Sequence, residues 1–343
     1  MNFRLLYKQR VFRLNYNFIF LVMMISIVAF FCYAWLGMHH SFINSTSVVT
    51  ISLNPMHLPY YSLRTVLRLL IGMVYSLIFA LVAGYMCAKN KHISRVLLPV
   101  INFMESAPLL RFLTFTTAFF LILFPRSMMG LEAAAIFGVF TSQAWNMALV
   151  VYQTIRIVPQ DVLLSAKAYK LNAWQLFWKV EMPYSIPGLL WNTMVSQSAA
   201  WFALVATEAI PVGGKDIMLP GVGSYISVAL SDANIKAILY ALIRIVACVI
   251  TFDQLVFRPL VIWSKKFKCE QINIVSNQSS YIYDLCLKSS VFIYFIDFCK
   301  LTSFYFMHMP TIIARALCLT TIELNHYIKV LCVWCWYFFY FCI

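Results

Sequence analysis

Six stretches of this 343-residue chain, 17–37, 66–87, 107–125, 131–153, 187–208 and 236–257, are apolar over the length that a bilayer demands. A hydrocarbon core about 30 Å thick takes about 20 helical residues to cross. Lipid offers the backbone no hydrogen-bond partners, so each stretch has to be helical. Two more apolar stretches, 290–307 and 327–343, follow near the end. With 62% of its residues hydrophobic and 11% charged, the chain could not clothe a soluble globule, because soluble domains run at about 45–50% apolar and about 25% charged. The pattern predicts an all-α polytopic membrane protein.

The formal charge of +14 would suit a nucleic-acid binder. The basic residues gather instead at alternate ends of the apolar stretches, and nucleic acid is therefore not an expected partner. Arg4, Lys8, Arg10, Arg13, then Lys89, Lys91, Arg95, then Arg156, Lys167, Lys170, Lys179, then Arg258, Lys265, Lys266 and Lys268 fall on one side, fifteen in all. Arg64, Arg126, Lys215 and Lys236, four in all, fall on the other. The excess marks the cytoplasmic side. It places the N-terminus and the segment 161–188 in the cytoplasm, and 208–235 outside. That outer segment is rich in Gly and Pro, and its SYISVAL part suits a short helix at the membrane interface.

The first apolar run is too long for a signal-peptide core and lacks a small-residue cleavage site, so it reads as a retained span. Seven of the ten cysteines lie at or after Cys269, and Cys332 with Cys335 makes one CxxC without a second pair or a histidine cluster. That is not a zinc pattern. No Gly-x-x-x-x-Gly-Lys-Ser/Thr occurs, so the chain has no phosphate-cradling loop, and any nucleotide must bind another chain. The six histidines are scattered, which counts against an intramembrane enzyme.

Between two spans lies SAKAYKLNAWQLFWKVEMPYSIPG, Ser165 to Gly188. Trp174, Phe177 and Trp178 recur at i, i+3, i+4 and give one aromatic face. Pro183 and Pro187 remove backbone donors and turn the chain into the next span. The segment reads as a short helix-turn-helix on the inner membrane surface. Two readings of its ridge are open: burial against lipid headgroups and the chain's own helices, or insertion into a groove on a cytoplasmic partner.

This stretch resembles the cytoplasmic "EAA" loop of binding-protein-dependent ABC importer permeases. Val180-Glu181-Met182-Pro183 matches the end of that pattern, followed by Pro187 and Gly188. Strict spacing puts Leu164-Ser165-Ala166 at the acidic end, with Ala168 close by, and Lys170 at the family's glycine; a register two residues shorter puts Asn172 there. The family's glutamate is missing in either register. LPYYSLRTVLRLL, VLLPVINFMESAPLL, LLWNTMVSQSAAWFALVATEAIPVGG, LPGVGSYISVAL and FDQLVFRPLVIW, in that order, are similar to the nitrate/sulfonate/taurine-type branch and extend the resemblance over about 58–268.

The resemblance implies a six-transmembrane-helix, MetI-like permease unit in the bacterial cytoplasmic (inner) membrane. It implies no cofactor on this chain, with ATP and Mg²⁺ bound by a partner ABC ATPase dimer beneath. A periplasmic or lipid-anchored solute-binding protein would deliver solute, and a second permease half, a copy or another chain, would complete the path. The expected division is a basic N-terminus at 1–16, a first span and outer loop at 17–60, a permease domain at 61–270, and a tail at 271–343. Ser165, Ala166, Ala168, Asn172, Trp174, Phe177, Trp178, Val180, Pro183 and Gly188 form the expected ATPase-coupling loop.

Polar residues inside the spans point to the bundle interior or to the path. Asn146, Asn192, Gln197, Glu208 and Arg244 are the path candidates. Plain helix–helix hydrogen bonding is the competing reading for Asn192 and Gln197. Arg244 needs a carboxylate or carbonyl partner once buried, and Glu208 is a candidate; Asp253 is expected to cap or to pair near Arg258. The tail from 281 on holds 17 of the 57 aromatics and six of the ten cysteines, unlike a permease half. It reads as one or two additional apolar helices from a truncated or frame-disturbed second half, which keeps a non-transporting scaffold or remnant open.

Overall fold

The computed structural model describes residues 51–107, 109–124, 128–209 and 218–267; the expected first span and the tail lie outside them. Helix α1 runs from Leu58 to Lys89, with Pro59 in its first turn, where a missing N–H leaves no bond unmade. Asn90 ends α1 and caps α2 (Lys91–Ser106) by accepting from the His92 amide at 2.9 Å. Helices α3 (Leu109–Leu123), α4 (Met128–Arg156), α5 (Gln160–Ala168) and α6 (Ala173–Leu176) follow. A π-helical turn, Phe177–Glu181, leads into α7 (Met182–Ala209). The remaining elements are α8 (Val222–Ser231), α9 (Ile235–Phe252), a second π-helical turn Asp253–Phe257, and α10 (Arg258–Ser264).

Pro55–Lys89, Met129–Arg156 and Ile235–Phe267 are long and apolar enough to cross a membrane. Together with the absence of strands among the described residues, they make this an all-α polytopic membrane protein. Helix α3 lies within the stretch 107–125 expected as one span, and an extended Ala107 separates it from α2, the conformation a residue before proline favours.

One expectation changes. The chain does not turn at Pro183 and Pro187: Pro187 lies inside α7. The preceding π-helical turn, closed by the Met182 amide donating to the Phe177 carbonyl, widens the helix just ahead of Pro183. SYISVAL forms a helix, α8, packed on the bundle with Ser224, Tyr225 and Ala229 fully buried.

The backbone of α1 lies directly against α4. Gly72, Ser76, Ala80 and Gly84 recur every four residues, the small-residue spacing that lets apolar helices approach. A Cβ added at Gly72 would stand 2.6 Å from Val139 Cγ1, and one at Gly84 would stand 2.7 Å from Val151 Cβ. Helix α4 in turn packs on α7, so α1, α4 and α7 form the centre of the bundle.

Candidate functional site

Three constellations divide the bundle along its length: an elbow formed by α5 and α6, a polar cleft halfway up α4 and α7, and a charged brace at the far end.

The elbow is a helix-turn-helix, as expected. Helix α5 ends in a left-handed residue, Lys170, at φ 52°. The Leu171 amide reaches back to the Ala166 carbonyl at 3.2 Å and the Lys170 amide to Lys167 at 2.9 Å. These two bonds satisfy the last carbonyls of α5 in the Schellman pattern, which favours glycine at the left-handed site. Of the two positions that the resemblance offers for the loop's glycine, Lys170 is left-handed and Asn172 extended. Asn172 begins α6, its amide donating to Gln175 Oε1 at 3.4 Å.

The aromatic ridge faces the bundle. Phe177 is buried, edge-on to Tyr85 of α1 at 4.8 Å and to Trp178 at 5.1 Å, while Trp174 and Trp178 meet at 5.8 Å. Ala166 is buried, whereas Val180 and Pro183 are half-buried. Gly188 lets α7 approach α4, where an added Cβ would meet Thr154 Cγ2 at 3.3 Å. The outward face of the elbow is different: Ser165 and Ala168 are exposed, with Leu164 at 60% and Tyr169 at 81% exposure. Buried Glu181, from the Val-Glu-Met-Pro segment, forms an ion pair with Lys89 at the end of α1 and so ties the elbow to the bundle.

The cleft, of about 210 Å³, lies between Met104, Glu105 and Ala107 at the break after α2, Thr141, Ser142, Trp145 and Asn146 of α4, and Ser196 and Ala199 of α7. Asn146 is thus placed at the cleft, whereas Asn192 and Gln197 are not among its described lining. Gln197 is buried and accepts from Gln143 Nε2 at 2.9 Å, the interhelical bond that the competing reading called for. Asn192 is half-buried and its carbonyl accepts from Ser196 Oγ at 2.7 Å.

The brace was not anticipated. Arg68 of α1, fully buried, grips Glu132 of α4 through Nε and Nη2 and reaches Glu208 of α7 through Nη1 at 2.7 Å. Arg64 adds a third bond to Glu132, from Nη2 at 3.1 Å. Glu208 also accepts from the Gly223 amide at 2.9 Å and from Thr65 Oγ1 at 2.9 Å. The two cations and two carboxylates balance, and most of their hydrogen-bonding groups are satisfied, as a buried ionic cluster requires. Glycine is needed where α8 begins, because a Cβ at Gly221 would collide with the Glu208 carboxyl group and one at Gly223 with the Val205 carbonyl.

The expected Glu208–Arg244 pair is therefore not formed. Arg244 is half-buried and donates to Ser62 Oγ at 3.1 Å, while Arg68, one helix away, takes Glu208. Asp253 does pair with Arg258, at 3.6 Å. Arg68 carried a signal that sequence reasoning passed over, an ionisable residue within an apolar span. Glu105 carried none, since it falls between two predicted spans.

Residues 76–258 match the family described as "Binding-protein-dependent transport system inner membrane component". The chain is 24% identical over 178 residues to the nitrate import permease protein NrtB of Synechocystis sp., covering 52% of this chain and 60% of that protein. It is 21% identical over 197 residues to the bicarbonate transport system permease protein CmpB of Synechococcus elongatus, covering 57% of this chain and 66% of that protein. A solved methionine ABC transporter, MetNI in an inward-facing conformation, aligns at TM-score 0.47 and 18% identity over 64% of this chain and 100% of that one. Running over more than half of the chain and taking in both elbow and cleft, the family match makes this protein a member of the binding-protein-dependent transport system inner membrane components.

Proposed function

We propose that this chain is the transmembrane permease subunit of an ATP-binding-cassette importer. It supplies half of a solute path and has no ATPase site of its own. A second half, a copy or another chain, faces it across the path. A solute-binding protein presents solute at the brace end, and a cytoplasmic ATPase dimer carrying ATP and Mg²⁺ docks at the elbow end. The N-terminus then lies in the cytoplasm, as the distribution of Lys and Arg suggests.

One observation carries this reading. The helical run from the elbow's π-helical turn through α7 holds Glu181 at the elbow, Ser196 and Ala199 at the cleft, and Glu208 in the brace. A partner that displaces the elbow therefore moves one wall of the cleft about a fixed far end. Nucleotide on the partner needs only to favour one of two arrangements for the path to open alternately to either side.

Within this scheme the docking surface is the exposed side of α5 and its turn, around Leu164 and Tyr169. Phe177 and Trp178 seat the elbow on α1 rather than meeting the partner. Asn146 and Ser196 line the path, and Gln197 fastens α7 to α4. Coexpression with a P-loop ATPase tests the proposal: the two copurify through the wild-type elbow. Recovery of the ATPase unchanged by Leu164→Asp with Tyr169→Asp would sink the docking assignment. The names of the relatives point to nitrate and bicarbonate, both small anions; the lining of the cleft bears on that choice.

A further inference from the structure

Resting on the permease reading, we infer that the cleft prefers cations, and that the solute it passes is cationic or ammonium-bearing rather than a small anion. The cleft stands near the midpoint of both flanking helices, α4 (Met128–Arg156) and α7 (Met182–Ala209), and is open on the α2 side, where Glu105 is exposed to whatever enters. Glu105 is the charged residue of its described lining, and no ion pair holds Glu105 among the described residues. Glu132 of α4 and Glu208 of α7, by contrast, are neutralised by Arg68 in the brace.

The hydroxyls around it point the same way. Thr141 Oγ1 donates to the Phe137 carbonyl at 2.8 Å, Ser142 Oγ to Val139 at 2.7 Å, and Ser196 Oγ to Asn192 at 2.7 Å. Each hydroxyl proton is committed to its own helix, so what remains for the cleft is oxygen lone pairs. The donors left in the described lining, the Asn146 amide and the Trp145 indole, are both neutral. A carboxylate with three hydroxyl oxygens suits a solute rich in N–H donors or bearing positive charge. Acceptor linings that carry a carboxylate favour cations over anions.

Charge-selective thiol labelling tests this without knowledge of the solute. The full chain carrying Ser142→Cys, and separately Asn146→Cys, is exposed in right-side-out and inside-out membrane vesicles to two methanethiosulfonates. One bears trimethylammonium and the other sulfonate. Modification at the introduced cysteine is read by peptide mass spectrometry, and each rate is divided by that of a free thiol.

The expected result is at least a tenfold preference for the cationic reagent, collapsing when Glu105→Gln is added. Equal normalised rates, or a preference that survives Glu105→Gln, overturn the inference while leaving the permease reading intact. So does a preference that moves with Arg111→Gln instead, Arg111 being the next charged residue along the chain. If neither reagent reaches either cysteine from either side, the cleft is not a path, and the permease reading fails at this site together with the inference.

Discussion

Arg68 holds Glu132 by two parallel hydrogen bonds, Nε to Oε2 at 2.5 Å and Nη2 to Oε1 at 2.7 Å, with neither side chain exposed. The forked, planar guanidinium can do this while its remaining nitrogen reaches Glu208; a lysine ammonium cannot. Removing one member of a buried ionic cluster leaves an uncompensated charge, which costs about 3–5 kcal/mol. Arg68→Lys and Glu132→Gln are each expected to lower the thermal midpoint in detergent sharply, followed by size-exclusion recovery after heating. Wild-type melting of Arg68→Lys would mean that the forked geometry contributes nothing.

Lys170 and Ala233 share an unusual backbone: each occupies a left-handed position, at φ 52° and 50°, just past the end of a helix. A side chain there costs roughly 1–2 kcal/mol relative to its right-handed form, a penalty glycine escapes. Lys170→Gly and Ala233→Gly should each raise stability by about 0.5–1 kcal/mol, offset in part by the greater freedom of glycine when unfolded. Lys170→Val should lower it. The three midpoints, measured side by side in one detergent, decide the matter.

Three glycines offer a graded test of helix approach. At Gly84 an added Cβ would stand 2.7 Å from Val151 and 2.9 Å from the Ala148 carbonyl, and at Gly72 it would stand 2.6 Å from Val139. At Gly188 the nearest atom is the Thr154 methyl at 3.3 Å, which can give way. Gly84→Val and Gly72→Val are expected to abolish recovery of folded protein, since overpacking against backbone costs about 1–3 kcal/mol or more. Gly188→Ala should be recovered near wild-type yield.

The elbow separates seating from docking. Phe177→Ala removes a buried ring and should cost about 3–5 kcal/mol of stability. Leu164→Asp and Tyr169→Asp alter exposed positions and should leave the melting midpoint within about 0.5 kcal/mol of wild type. The proposed partner contact predicts the reverse order for ATPase copurification per unit of folded protein: the two surface changes lose it, whereas the Phe177 variant retains it. A Phe177 variant that melts normally yet no longer binds ATPase would return the ridge to the interface.

Much of this was legible because apolar length and helical period are local properties. Residues 131–153 and 236–257 fall inside α4 and the α9–α10 run, and the Ser165–Gly188 pattern announced a helix-turn-helix before the bundle was assembled. The expected turn at Pro183 and Pro187 is absent because the helix runs on through both. Ahead of Pro183 a π-helical turn shifts the register, and nothing in the sequence around Phe177 advertises it. The aromatic spacing of Trp174, Phe177 and Trp178 gave the face but not its destination.

The chain by itself determined that it is helical and membrane-embedded, and where its elbow lies. Lipid forces those outcomes one segment at a time. Only the tertiary structure decided which polar groups meet. Arg68 rather than Arg244 holds Glu208, Gln143 rather than the cleft takes Gln197, and Glu105 lines the cleft with no ion pair among the described residues. Each pairing joins residues on different helices, and those of Arg68 depend on how close Gly72 and Gly84 let α1 come to α4. That distance is set by side-chain contact across the bundle, which no single segment encodes.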